Sequence, residues 1–179
     1  MEMLSRRKFV KCLGAMGLLV AAGSLVGCDG AGGESQNGSS QQDVNGLLVE
    51  SAKLTLSSSS TYKYITGYFT IKNITDSDFN IDRHNFSVYF GENFNLMKEN
   101  ADDVSYRIKE NYYARINSDG YILKAGESQT FSVDFVINNT QYEILLMNCN
   151  IQMKFKNGNK EQSFTMKNNT LTIGNVRNS

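Results

Sequence analysis

Few residues of this chain could do chemistry, and each carries a plain structural alternative. His84 is the only imidazole, set in Asp82-Arg83-His84-Asn85. A general base needs an oriented partner and a nucleophile within reach. No Gly-x-Ser-x-Gly elbow supplies one, so His84 reads as an exposed loop side chain. Cys149 could be the thiol of a Cys-His pair, but it shares an alternating pattern with Ile151, Met153 and Phe155. A thiol on the apolar side of a strand behaves as a small hydrophobe. Asp76, Asp78, Asn80 and Asp82 fall at every second position, as oxygen ligands do in a calcium loop. Such a loop also needs Gly at its sixth position and Glu at its twelfth; those places hold Ile81 and Ser87. If 78–82 is a strand, the same spacing puts Asp78, Asn80 and Asp82 on a solvated face, with Phe79 and Ile81 inward. Weak calcium binding is the alternative. Asp102-Asp103 is a pair of adjacent carboxylates in a loop, which a hydrolase could use. No glycine motif for phosphate is present, and one His cannot build a site of two imidazoles. No cofactor is expected.

The segment 91–121 is different in kind. It holds Tyr106, Tyr112, Tyr113 and Tyr121 among Asn93, Asn95, Asn111, Asn117, Arg107 and Arg115. Tyr, Asn and Arg offer large contact area and adaptable hydrogen bonds at low entropic cost, so recognition surfaces favour them. Tyr106, Tyr112, Tyr113 and Arg115 are therefore candidate partner-binding residues. The alternative is a long excursion between strands that carries short strands of its own. Asn-x-Ser/Thr recurs at Asn37, Asn73, Asn85, Asn138 and Asn168, and reads as composition.

The elements that position these residues are strands. Ile65, Phe69 and Ile71 alternate with Thr66, Tyr68, Thr70 and Lys72; Phe86, Val88 and Phe90 alternate with Ser87 and Tyr89. Phe131, Val133, Phe135 and Ile137 alternate with Ser132 and Asp134, and Ile151, Met153 and Phe155 with Gln152 and Lys154. Leu54 with Leu56, and Leu171 with Ile173, mark terminal strands. Period-two alternation predicts half-buried strands, and one apolar face per strand suits two sheets packed face to face. Asn157-Gly158 predicts a hairpin with a type I′ turn; 124–128 and 73–77 read as turns. No segment shows convincing helical periodicity. About seven strands predict an all-β antiparallel sandwich.

The N-terminus reads as an address. Positive charge at 6–11 precedes a short apolar run, 12–26, too short for a typical transmembrane helix. Ser5-Arg6-Arg7-Lys8-Phe9-Val10-Lys11 resembles the twin-arginine export signal, through Ser5, Arg6, Arg7, Phe9 and Lys11, with Val10 where Leu is usual. Leu25-Val26-Gly27-Cys28 resembles a bacterial lipobox, whose Cys is acylated and becomes the mature N-terminus. The resemblance implies a signal peptide over 1–27 and a diacylglyceryl group on Cys28, firm enough to hold the chain on a bilayer. Residues 28–45, rich in Gly, Ser, Gln and Asn, read as a tether spanning about 20–25 Å root-mean-square. Residues 46–179 form the folded domain. The whole chain has 179 residues and balances 18 basic against 18 acidic side chains; without Arg6, Arg7, Lys8, Lys11 and Glu2 the balance is 14 to 17. Such a chain is not a nucleic-acid binder. After acylation of Cys28 only Cys149 keeps a free thiol, so no internal disulfide is expected.

Gly67-Tyr-Phe-Thr-Ile-Lys-Asn73-Ile-Thr-Asp76, Asn85-Phe86-Ser-Val-Tyr89 and Leu123-Lys-Ala-Gly126-Glu127-Ser-Gln-Thr-Phe131-Ser-Val-Asp-Phe135 carry a further resemblance. They are similar to a family of bacterial secreted Ig-like lipoprotein domains of unknown function, related to the mycobacterial immunoprotective extracellular proteins. Ala125 stands where that family usually has Pro, and Phe90-Gly91 where Asp is usual. The resemblance implies an Ig-like sandwich and no activity. The resulting expectation is a non-enzymatic binding or scaffolding module on the extracytoplasmic side of the cell membrane. Its partners would be the bilayer through Cys28 and an envelope protein or extracellular ligand. An accessory subunit of an envelope redox or transport complex is the alternative; a carboxylate-dependent hydrolase is a third reading.

Overall fold

The computed structural model describes residues 19–20, 42–167 and 170–179. The export motif, Cys28 and the tether before 42 lie outside the described residues. One sheet is built from β1 (Leu19–Val20), β2 (Asp43–Val44), β3 (Leu47–Ser58) and β4 (Lys63–Asn73), with β8, β9 and β11 below. The short β5 (Phe79–Ile81) leads into β6 (Phe86–Phe90) and β7 (Leu96–Lys98) of the facing sheet. Then come β8 (Asp103–Lys109), β9 (Tyr112–Arg115), β10 (Tyr121–Leu123) and β11 (Ser128–Ile137). A helix, α1 (Asn139–Met147), precedes β12 (Ile151–Asn157), β13 (Lys160–Lys167), β14 (Thr170–Ile173) and β15 (Arg177–Asn178). All pairings are antiparallel. The first sheet runs β1-β3-β4-β11-β8-β9 with β2 also on β3; the second runs β14-β13-β12-β6-β7 with β15 on β13; β5 and β10 pair separately.

The six strands expected from alternation are β3, β4, β6, β11, β12 and β14, and the hairpin expected at Asn157-Gly158 adds β13, so the all-β antiparallel sandwich stands. Its core lies between the sheets, where Phe69 of β4 meets Phe86 of β6 at 5.6 Å and Phe164 of β13 at 5.2 Å. Gly67 lets the sheets close: a Cβ there would lie 2.5 Å from Met153 Sδ. The apolar side of the alternation is buried, and Thr66 of the outward side is buried with it. Ile65, Phe69 and Ile71, then Phe131, Val133 and Phe135, are all fully buried.

Four features depart from the sequence reading. The strand β1 lies within 1–27, the segment expected to be a signal peptide, yet Leu19 pairs with Ala52 and Val20 with Ser51 of β3. The fold begins before residue 46: Asp43–Val44 forms β2, Val44 is fully buried, and Asn45 and Gly46 both take positive φ (49° and 86°). That is the type I′ turn, with Asn-Gly at its centre. The hairpin expected at Asn157-Gly158 exists, but Asn157 pairs with Lys160. Gly158 (φ 59°) and Asn159 are therefore the central residues, and of these only Gly158 has positive φ. Gly at the first central place suits a type II′ turn. The helix α1 was not anticipated. Asn138 caps it, accepting from Gln141 N while the Gln141 side chain accepts from Asn138 N. Only Tyr142 and Leu145 bury from it, too few to print a helical period.

Candidate functional site

A β-bulge builds the site. Val49 pairs with Ile71 and Ser51 with Thr70, so Glu50 is the extra residue of β3. An extra residue flips the parity of the strand beyond it. Ala52, Leu54 and Leu56 therefore face the core, while Ser51 and Lys53 face outward. Register then lays rows across the outer face. Thr130, Thr70 and Ser51 share one row; Arg115, Ser105, Ser132, Tyr68 and Lys53 share the next. Arg107 pairs with Tyr113 at the far side.

The result is a shallow groove of about 270 Å3, lined on its floor by Ser51, Ala52, Thr70 and Thr130. Its walls are Lys53, Tyr68, Arg107 and Tyr113. The rings of Tyr68 and Tyr113 sit 6.1 Å apart, Lys53 Nζ lies 5.7 Å over Tyr68, and Arg107 lies 5.7 Å over Tyr113. The floor hydroxyls form a chain: Ser51 Oγ donates to Thr70 Oγ1 at 2.9 Å, and Thr70 and Thr130 are bonded at 3.0 Å. Burial raises the Tyr68 hydroxyl above its ordinary pKa, helped by Asp134 and Tyr113 and opposed by its hydrogen bond with Ser132. Tyr68 is thus a neutral donor at physiological pH. Asp134 lies one row on. Its carboxyl is raised by burial and by nearby Asp103, and lowered by Thr66 Oγ1, which donates to it at 2.6 Å.

The sequence candidates separate on this framework. Tyr113 is on the groove and Arg115 is on the same outer face, paired to Asp103 at 2.8 Å. Tyr112 is exposed at the tip of the β8–β9 hairpin. Tyr106 points inward and stacks on Tyr121 at 4.7 Å, which in turn meets Phe131. The four therefore do not form one surface, because Val104 and Tyr106 occupy the inner parity of β8. Lys53 and Tyr68 were missed. They come from β3 and β4, remote in sequence, and only register brings them to Arg107 and Tyr113.

The other candidates are committed locally. Asp78 accepts from Lys124 Nζ at 2.7 Å and from Ala125 N at 3.1 Å, which hold its carboxyl below the usual range. Asp82 Oδ1 accepts from His84 N at 2.7 Å and lies 3.1 Å from the His84 ring. Asn80 is exposed on β5, with Ile81 buried beside it. Asp76 is exposed in the preceding turn. The four oxygen-bearing side chains are thus not gathered, and among the described residues no three His, Cys, Asp or Glu form a metal-binding group. Asp102 pairs with Lys98 at 2.5 Å and accepts from Val136 N, while Asp103 turns to Arg115. The adjacent carboxylates serve different partners. Cys149 is buried.

No protein-family model matches the chain, and no curated protein matches it. A solved structure described as a functionally unknown protein from Listeria monocytogenes EGD-e aligns over 64% of this chain and 68% of its own. It is 17% identical with a TM-score of 0.38. That likeness is too slight to carry an argument.

Proposed function

We propose that this chain is a lipid-anchored, extracytoplasmic binding module that works without catalysis, and that it belongs with the Ig-like secreted lipoproteins its motifs resemble. The observation that carries the binding role is the outer groove, where Lys53, Tyr68, Arg107 and Tyr113 from four strands converge beside a row of hydroxyls. Aromatic and cationic side chains concentrated at one place are the composition of recognition surfaces. The anchoring rests on Ser5-Arg6-Arg7-Lys8-Phe9-Val10-Lys11 and Leu25-Val26-Gly27-Cys28. Among the described residues no helix is long and apolar enough to cross a membrane. Acylated Cys28 is the anchor put forward, on the lipobox resemblance.

The test is fractionation of cells expressing the full chain. Wild type is expected in the membrane fraction and Cys28→Ala in the soluble extracytoplasmic fraction; Cys28→Ala that stays membrane-bound refutes the lipid anchor. The twin-arginine motif favours one second reading, an accessory subunit of an envelope redox or transport complex, because that route carries folded and co-assembled cargo. Cross-linking on whole cells separates the two. A single stoichiometric envelope complex supports the subunit, whereas a module that faces outward gives none.

A further inference from the structure

We infer that the outer groove is a saccharide site selective for an acidic sugar residue, which names a ligand for the binding role proposed above and rests on it. Three independent features agree. The first is charge. Lys53 and Arg107 form no ion pair among the described residues, and no Asp or Glu lines the groove. The chain as a whole is formally neutral, so two unpaired cations in one depression are a local feature. A carboxylate reaching both exchanges water for charge-assisted hydrogen bonds. The second feature is the hydroxyl chain. Ser51, Thr70 and Thr130 own three hydroxyl protons and use two in bonding one another. One proton and several lone pairs are left over from this chain for a ligand. A ligand rich in its own hydroxyls matches such a floor; an apolar one would leave it unpaired at a cost. The third is the tyrosine pair. The rings of Tyr68 and Tyr113, 6.1 Å apart and tilted 52° to each other, offer a sugar's C–H face one aromatic ring to lie on, and the neutral Tyr68 hydroxyl gives a donor.

Size narrows the ligand. About 270 Å3 lies just under the roughly 300–1,000 Å3 of most small-molecule pockets. It holds one or two sugar rings, with the rest of a chain running out over the open face. Floor and walls divide the work: Lys53 and Arg107 hold the carboxylate, Thr70 and Thr130 the ring hydroxyls, Tyr113 takes the ring face, and the Tyr68 hydroxyl donates. The bulge at Glu50 is what makes this possible, because without it Ser51 and Lys53 would point into the core.

The experiment is titration of the purified full-length protein in detergent with trigalacturonate, glucuronate and N-acetylneuraminate, followed by the tyrosine resonances. Galactotriose is the neutral control and inorganic phosphate the bare-anion control. At least one acidic sugar is expected to saturate with Kd near or below about 1 mM, at least tenfold tighter than galactotriose or phosphate. Lys53→Met with Arg107→Met should weaken that sugar at least tenfold at unchanged melting temperature, and Thr70→Val should weaken it without altering the salt dependence. Equal binding of the neutral sugar, phosphate binding as tight as the sugar, or full binding by the double methionine variant overturns the inference. So does a lack of saturation by all three acids at about 10 mM. None of these outcomes bears on Cys28 fractionation, so failure of the sugar site and failure of the anchor are read separately.

Discussion

Replacing Asn73 with Ala removes the side chain that ties β4 and the turn after it to the β10–β11 turn. Asn73 is fully buried. Its amide nitrogen faces three carbonyls, Ser77 O at 2.7 Å, Leu123 O at 3.2 Å and Lys124 O at 3.1 Å. Two protons serve three acceptors, so one is shared. Its amide oxygen accepts from Thr75 N and Thr75 Oγ1, both at 2.9 Å. Two donated and two accepted bonds at about 1 kcal/mol net each give a loss of about 4 kcal/mol. For a domain of this size, that lowers the melting temperature by about 10–15 °C. The assay is thermal unfolding by circular dichroism, since the chain has no Trp. Asn73→Asp sharpens the test. It keeps the oxygen that accepts from Thr75 but sets a second carboxylate oxygen against three carbonyls, and should cost more than Ala. A loss under about 4 °C for Ala, or an Asp variant milder than Ala, would refute the role given to this amide.

Asp134 carries a pH signature. Burial raises its carboxyl above the ordinary value, so the charged form costs folding stability. That cost is present above the folded pKa, fades as pH falls through it, and is gone below the unfolded value of about 3.9. Asp134→Asn should therefore raise the melting temperature at pH 7 and leave it unchanged near pH 3; a loss at pH 7 contradicts this. Cys149 is buried, so thiol reagents should label it only in denaturant, and rapid native labelling would place it elsewhere. Gly46→Ala forces an L-residue to φ 86° with its Cβ 2.5 Å from Thr75 Cγ2. It should cost about 1–3 kcal/mol, read by urea unfolding; no change would mean the Asn45-Gly46 turn is not as described.

Much of the sandwich was legible because a strand with one buried face writes its parity into the sequence. Phe131, Val133, Phe135 and Ile137 announce β11 without help from any other strand. What needed two strands at once was not legible. The outer groove depends on β11 lying between β4 and β8, and on the bulge that turns Lys53 outward. Neither leaves a local signal. The tyrosine-rich segment was read by composition, which cannot tell Tyr113 on the outer face from Tyr106 on the inner one. Here a signal was present, since Val104 and Tyr106 alternate with Ser105 and Arg107; Val104 is buried, Tyr106 packs against the core and Arg107 is exposed. The helix had one too: Asn138 and Gln141 hold a capping box, though Asn138-Asn139-Thr140 reads equally as composition. The single buried pair Tyr142 and Leu145 explains why periodicity did not reveal it.

The most direct test of the proposed lipid anchor is the intact mass of the protein purified from bacterial membranes, together with its N-terminal peptide. A chain that begins at Cys28 and carries the added mass of a diacylglyceryl group is expected. A chain that retains Met1, or one cut at another residue without lipid, contradicts the anchored module.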